Sequence, residues 1–535
     1  MKTRFFLLHI LFFFCFGCAD KQGPDDSRTV FKYNQPNNIT SLDPAFAKSQ
    51  NNIWAVDHLY NRLIELNDNL EVVPSIASTW NISEDGRVYT FNLRDDIYFH
   101  DDDCFPEGRG RVVNAHDVVY SLGRIIDQQV NSPGSWIFGD KLIDSQPFVA
   151  VDDQTFQVHL KEAFRPMLGI LTMHYCSILP KEAVEYHDLQ FRANPVGTGP
   201  FMMKIWLENQ ALFLQKNPAY FEVENGVRLP FLDAVKVSFM SDRKTAFLEL
   251  KKGNIDLISG MDVSYVNELI DGEGELKESL REELQLIKSP YLNLEYIGIN
   301  LSLDNSPLQN KYLRQALNYA VDKKLMMRSL RNNIGVAAEQ GVTPRGLPSF
   351  DENMAGYNYD IPKARALLEK ANFGNGNPVP EITINTNSDY VDLATYLTSQ
   401  WRQIGVQAKI EIIESASLRN AMTKGTIPMF RASWIGDYPD AENYFSLFYS
   451  GNPAPPRYTR FENEAFDVFY EKALTENVDS LRYDLYHQME KILIEEAPII
   501  FLYYDQTALT AGAEWQNLPS NAINLLSLKR VKRRE

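Results

Sequence analysis

Segments with the two-residue period of a β-strand alternate with segments of 3.6-residue helical period along almost the whole chain. That alternation restricts the fold to mixed α/β domains. Thr29–Tyr33, Val88–Arg94, Thr155–Leu160, Ala211–Gln215, Val235–Met240, Leu292–Leu301, Gln407–Ile413, Ile427–Trp434 and Ile499–Tyr504 read as strands. Helices are predicted over Ile53–Leu66, Lys181–Tyr186, Lys311–Leu330, Leu393–Ile404 and Arg482–Glu495. A further helix starts at the N-cap Asn114, carries Asp117 in its first turn and buries Val118, Leu122, Ile125 and Ile126. Another is capped by Asp360, has Pro362 in its first turn, faces Leu367, Leu368 and Ala371 inward and stops at Gly374. The length of 535 residues suggests roughly three or four domain-sized pieces, for which two lobes are the natural arrangement.

The balance of 53 Lys and Arg against 70 Asp and Glu leaves a net charge of −17 and offers no basic face for nucleic acid. The basic cluster Lys529, Arg530, Lys532, Arg533 and Arg534 reads as a solvated terminal tail. At the other end, Lys2 and Arg4 precede an apolar run from Phe5 to Phe16, too short to span a bilayer but matched to a signal-peptide core. The run ends Cys15-Phe16-Gly17-Cys18, which resembles the lipobox of bacterial lipoproteins, with Cys15 where Leu is usual. Residues 1–18 are therefore expected to be a lipoprotein signal and lipidation site, with Cys18 acylated and Ala19–Ser27 as a tether. Export leaves Cys104 and Cys176 as candidates for a disulfide, with the spacing alone unable to decide whether they pair.

Catalytic signatures are absent from the sequence. There is no G-x-S-x-G, no H-E-x-x-H and no Walker A loop. Gly197-Thr198-Gly199 lacks the third glycine of a dinucleotide loop and reads as a turn. Ser241-Asp242-Arg243-Lys244 fits S-x-x-K without the partner motifs of that chemistry. His100-Asp101-Asp102-Asp103-Cys104 invites a metal reading, but no second cluster completes a ligand set, and a solvated acidic loop is the better account. No catalytic residue, metal or cofactor is assigned.

Eleven blocks in order resemble one family, the solute-binding proteins of bacterial ABC importers that carry peptides and nickel. They begin with Ser41-Leu42-Asp43-Pro44-Ala45, "FNLRDDIYFHD" from Phe91, "AHDVVYS" from Ala115, "NPVGTGPF" from Asn194 and "NPAYFE" from Asn217. "LKKGNIDL", "RQALNYAVDKKLM", "GYNYDIPKARALLEKANF", "WRQIGVQAKI", "WIGDYPDAENYF" and "YHQMEKILIEEAPIIFLYY" carry the series to Tyr504. The resemblance implies a two-lobed periplasmic-binding-protein (Venus flytrap) fold of the large class, with an extra N-terminal α/β subdomain. Lobe I would comprise 19–57, 190–285 and 500–535, the subdomain packed on it 58–189, and lobe II 286–499.

The same resemblance implies a monomeric, lipid-anchored receptor, periplasmic or at the cell surface. It would capture a peptide by hinge closure and hand it to a membrane permease and ATPase. Asp437 matches the family's aspartate that pairs with a peptide's α-ammonium, whereas Asp440 is expected to shape the turn. Trp434 and Tyr438 flank Asp437, and Tyr33 and Asn34 are placed at the cleft from the first strand. Two departures bear on the ligand. Ser388–Tyr396, where dipeptide-type relatives carry a carboxylate-binding arginine, holds Asp389 and Asp392 and no cation, leaving Arg345 and Arg419 as unplaced substitutes. Asp102–Arg111 is inserted where the family has a short turn. The same scaffold could instead hold a nickel chelate, an oligosaccharide or an opine-like solute, and a secreted hydrolase stands as the remote alternative.

Overall fold

The computed structural model describes residues 28–374 and 376–534; the expected signal segment, Cys18 and the tether lie outside them. An 11-stranded sheet organises the chain. Its strands are β1 (Val30–Asn34), β2 (Phe201–Leu207), β3 (Ala211–Lys216), β4 (Ala234–Ser238), β5 (Leu257–Ser259), β6 (Leu284–Ile299), β7 (Ile382–Thr386), β8 (Ala408–Ile412), β9 (Met429–Ile435) and β10 (Ile499–Gly512). They lie in the order β8-β7-β9-β6-β10-β5-β1-β4-β3-β2, with Val336–Ala337 paired on β10.

Two strands hold the halves together. β6 and β10 run antiparallel from Leu284 opposite Gly512 to Gly298 opposite Ile499, with the ladder broken between Pro290 and Leu294. They are 16 and 14 residues long, well beyond the predicted Leu292–Leu301 and Ile499–Tyr504. The continuation of β10 was masked in the sequence by the polar run Asp505–Thr507. Side chains alternate across these strands into separate cores. In one half, Leu294, Tyr296 and Phe501 face one apolar cluster while Ile297, Ile299, Ile500 and Leu502 face another. Beyond the break, Leu509 and Ala511 join the core of Phe31 and Tyr33, and Leu284 joins a cluster with Ile258 and Phe247. Four cores on the faces of one sheet, divided at the same break, give the mixed α/β two-lobed fold.

The N-terminal region adds a four-stranded antiparallel sheet of Ala77–Ile82, Val88–Leu93, Phe148–Ala150 and Thr155–His159. Its core is continuous with that around β1, since Phe91, Phe156, Phe31 and Tyr33 belong to one cluster. The helix predicted from Asn114 forms as Ala115–Ile126 (α2), and Asn114 and Asp117 make a reciprocal capping box.

Two predicted helices are shorter in the structure. The first, α1 (Gln50–Leu59), ends before Tyr60, and Ile64–Leu66 pairs as a strand with Val72–Pro74. Asn61 draws the chain out of the helix: its carbonyl accepts from the Ile178 amide at 2.9 Å and its side chain meets Tyr220 and Thr198. The span Lys311–Leu330 divides into Lys311–Tyr319 and Lys323–Leu330, because Asp322 caps the second helix by accepting from the Leu325 amide at 2.9 Å.

The Gly-Thr-Gly segment is a close-packing device. The Gly199 amide donates to the Leu59 carbonyl at 2.9 Å, and a Cβ on Gly199 would lie 2.3 Å from the Leu59 carbonyl carbon. His100 donates its Nε2–H to the Gly199 carbonyl at 3.0 Å, so the loop is held from both sides. Gly199→Ala forces backbone to move, an overpacking cost on the order of 1–3 kcal/mol. A thermal unfolding midpoint several degrees below that of the parent protein is the expected result, and an unchanged midpoint contradicts the assignment.

Candidate ligand-binding cleft

The break in the β6–β10 ladder creates the floor of a cavity. Residues 291–293 leave the ladder, as bulged strands do when extra residues must be accommodated, and Tyr291 and Leu292 turn to line a cavity of about 650 Å³. One wall comes from the N-terminal region through Lys48, Ile53, Trp136, Met173, His174 and Tyr175. The opposing wall is the loop that follows β9, from Ile435 to Pro439. The volume falls in the range of small-molecule sites, and Trp136 and Ile435 present half-exposed apolar surface to it.

Asp437 stands in that opposing wall. Its loop is fixed from three directions. The Gly436 amide donates to the Leu292 carbonyl at 2.7 Å, and the Tyr444 hydroxyl donates to the same carbonyl at 2.6 Å. Asn443, in the short helix α3 (Glu442–Phe445), accepts from the Asp437 amide at 3.2 Å and from the Trp434 indole at 2.8 Å. Tyr438 is buried and donates its hydroxyl to Glu442, which also accepts from Tyr470. Asp440 is built into the turn, as predicted for it: it accepts from Tyr486 at 2.6 Å, from the Glu442 amide at 3.0 Å and from Arg482.

No cation pairs with the Asp437 carboxylate among the described residues; its contact is the Asn443 amide at 3.5 Å. The carboxylate is open to the cleft, but the walls displace much of the surrounding water. Desolvation therefore pushes its pKa up from 3.8 to about 6, against a smaller lowering by Asn443. Across the cavity, burial together with the charge of Asp437 raises the Tyr175 hydroxyl. His174 is pushed down to about 3 by burial and by the neighbouring Arg62, so its ring is neutral at physiological pH. Arg62 also borders the cavity and is paired with Asp57 at 2.9 Å.

Of the residues predicted for the site, Asp437 and Tyr438 line the cavity, and Trp434 stands behind them as the partner of Asn443. Tyr33 and Asn34 do not reach it. Tyr33 is fully buried between Trp54 and His58, and Asn34 closes β1 by two hydrogen bonds with the Met240 backbone, at 3.0 and 2.8 Å. Arg345 packs over Phe350 and Arg419 is exposed on the helix Ser415–Lys424; neither lines the cavity. Lys48, His174, Tyr175 and Tyr291 were not singled out in the sequence, which marks them by no motif. Cys104 and Cys176 are free thiols. The Cys176 thiol is directed to the Ile170 carbonyl inside the core, while the Cys104 amide is held by Asp102, itself paired with His187 at 2.9 Å. Among the described residues no three His, Cys, Asp or Glu side chains gather as a metal site.

Residues 71–456 match the family model of the bacterial extracellular solute-binding proteins, family 5. The chain belongs to this family. Heme-binding protein A of Haemophilus influenzae is 29% identical over 463 residues, covering 83% of this chain and 81% of the relative. The dipeptide-binding protein of Escherichia coli is 27% identical over 468 residues, covering 83% of each. The solved structure of HbpA2 from Haemophilus parasuis superimposes with a TM-score of 0.84 at 25% identity, over 95% of this chain and all of that one. No helix among the described residues is long and apolar enough to cross a membrane.

The geometry makes Gly436 a sensitive position, since a Cβ there would lie 2.7 Å from the Tyr444 hydroxyl that shares the Leu292 carbonyl. Gly436→Ala should displace the Asp437 loop and weaken ligand binding at least tenfold, as read by calorimetric titration. Undiminished affinity would show that this loop does not position the ligand.

Proposed function

We propose that this protein is the extracytoplasmic binding component of an ABC importer and that it captures short peptides with a free amino terminus. Asp437 carries the reading: it is a carboxylate held rigidly at a cleft between two lobes, with no cation of its own. An α-ammonium is its natural complement, and a charge-assisted hydrogen bond in a partly dried cleft is worth about 1.5–3 kcal/mol. The cleft floor at Tyr291 and Leu292 belongs to the strand pair that connects the lobes, so a ligand seated there couples directly to closure. The closed form then presents itself to the permease and ATPase. The match of Asp437 to the family's amine-binding position, and the dipeptide ligand in the name of the Escherichia coli relative, support the peptide class.

In this reading the protein acts as a monomer and as a binding protein without catalysis. Cys18 carries the lipid that anchors it to a bacterial membrane, on the periplasmic or outer surface, and multiple acyl chains make such an anchor stable. The lobe boundaries are those expected from the sequence, with 286–499 as one lobe and 19–57, 190–285 and 500–535 as the other.

Thermal unfolding of residues 19–535 with a random peptide pool, and with the same pool N-acetylated, tests the proposal. A pool component at a hundred times its dissociation constant adds about 2.7 kcal/mol, so the free-amine pool should raise the midpoint and the acetylated pool should not. Asp437→Asn should weaken free-amine peptides by more than tenfold. Equal stabilisation by both pools would remove Asp437 as the amine anchor, and stabilisation by neither would remove the peptide.

A further inference from the structure

Resting on the peptide reading above, we propose that Lys48 is the carboxylate-binding residue of the cleft, so that a bound peptide is held as a zwitterion with its two charges on opposite lobes. The cavity carries three charged side chains, Asp437, Arg62 and Lys48. Arg62 is buried and its charge is met by Asp57 at 2.9 Å. That leaves one open anion and one open cation. Lys48 is exposed and has no ion pair or side-chain hydrogen bond among the described residues. An ammonium and a carboxylate that share one cavity without touching each other, or any other counter-ion, together match a ligand with both signs of charge.

The backbone around Lys48 is built to aim it. Asp43 accepts from the Ala45 amide at 3.0 Å and receives the Arg124 guanidinium through two bonds of 2.9 and 2.8 Å, all in buried surroundings. Ser132 donates to the Ala45 carbonyl at 2.6 Å, and the Lys48 amide donates to the Phe46 carbonyl at 2.9 Å. Ser49 then caps α1. The chain on both sides of Lys48 is thus fixed while its side chain is free to reach into the cavity.

The consequence is mechanical as well as chemical. Asp437 belongs to the wall after β9 and Lys48 to the N-terminal wall, so a peptide that satisfies both bridges the two walls. A ligand with only one charge binds one wall and gives closure less differential free energy. The arrangement also accounts for the acidic Ser388–Tyr396 segment, which supplies no cation: the carboxylate is received from the opposite lobe.

The test uses the mature protein and random tripeptide pools in four forms: unmodified, N-acetylated, C-terminally amidated and doubly blocked. Wild-type protein should bind the unmodified pool about tenfold tighter than the amidated pool. Lys48→Ala should bring the unmodified pool down to the level of the amidated one and leave the latter unchanged. Lys48→Arg should keep the preference, and Lys48→Glu should reverse it. Because Lys48 is exposed and has no ion pair or side-chain hydrogen bond among the described residues, unfolding midpoints of all three variants should equal that of the parent. Sensitivity to acetylation combined with indifference to amidation overturns the Lys48 assignment and leaves the peptide reading intact. Equal losses for all pools in Lys48→Ala also overturn it, whereas no binding of any pool by the parent removes both.

Discussion

The Leu292 carbonyl holds the binding apparatus together. It accepts the Gly436 amide, which fixes the loop bearing Asp437, and the Tyr444 hydroxyl, which fixes the helix behind that loop. The Leu292 amide in turn donates to the Ala522 carbonyl at 2.9 Å, joining the C-terminal segment to the same point. All three bonds lie where β6 has parted from β10, between Pro290 and Leu294, and the Gly436–Leu292 bond closes the end of the β6–β9 ladder at Asn293 opposite Ile435. The end of the β6–β9 ladder, beside the point where β6 parts from β10, is therefore what fixes the loop that bears Asp437.

Around that point, the polar groups of the cleft divide into those already satisfied and those left open. Asp440, Glu442, Tyr438, Tyr470 and Tyr486 satisfy one another and Asn443 holds the Trp434 indole and the Asp437 amide, so the loop has its geometry already set. Among the described residues, Asp437 and Lys48 have no counter-ion. A preorganised, unpaired charge costs stability in the empty protein and is compensated only when a complementary ligand arrives. Such residual charges are what distinguish a receptor's cleft from an ordinary interlobe gap.

Much of this was legible in the sequence, and the residues that were not share a reason. Alternating periods identified the mixed α/β class, and the resemblance of the block Trp434–Phe445 to its family pointed to Asp437, which lines the cavity. Tyr33 and Asn34 were misplaced because β1 is covered on both faces, and period alone cannot say which residue of such a strand meets a cleft. The helix from Ile53 was overextended because its apolar spacing continues past Leu59, while the contacts that end it come from Ile178, Thr198 and Tyr220, more than a hundred residues away. Lys48 escaped notice because a surface lysine looks like any other until the fold places it on the wall of the cavity that Asp437 also lines.

The most direct measurement is the proton count of binding. In the empty protein the Asp437 carboxyl titrates at about 6, and an ammonium partner favours its ionised form. Binding must therefore expel a proton when the pH is near or below that value, and affinity must fall as the pH drops through it. Calorimetric titration of free-amine tripeptides at pH 6, in two buffers of different ionisation enthalpy, gives the number released. About half a proton is expected from the parent protein and none from Asp437→Asn, the peptide amine being already charged at this pH. Tight binding of a free-amine peptide at pH 6 with no proton released would contradict the claim that Asp437 receives it.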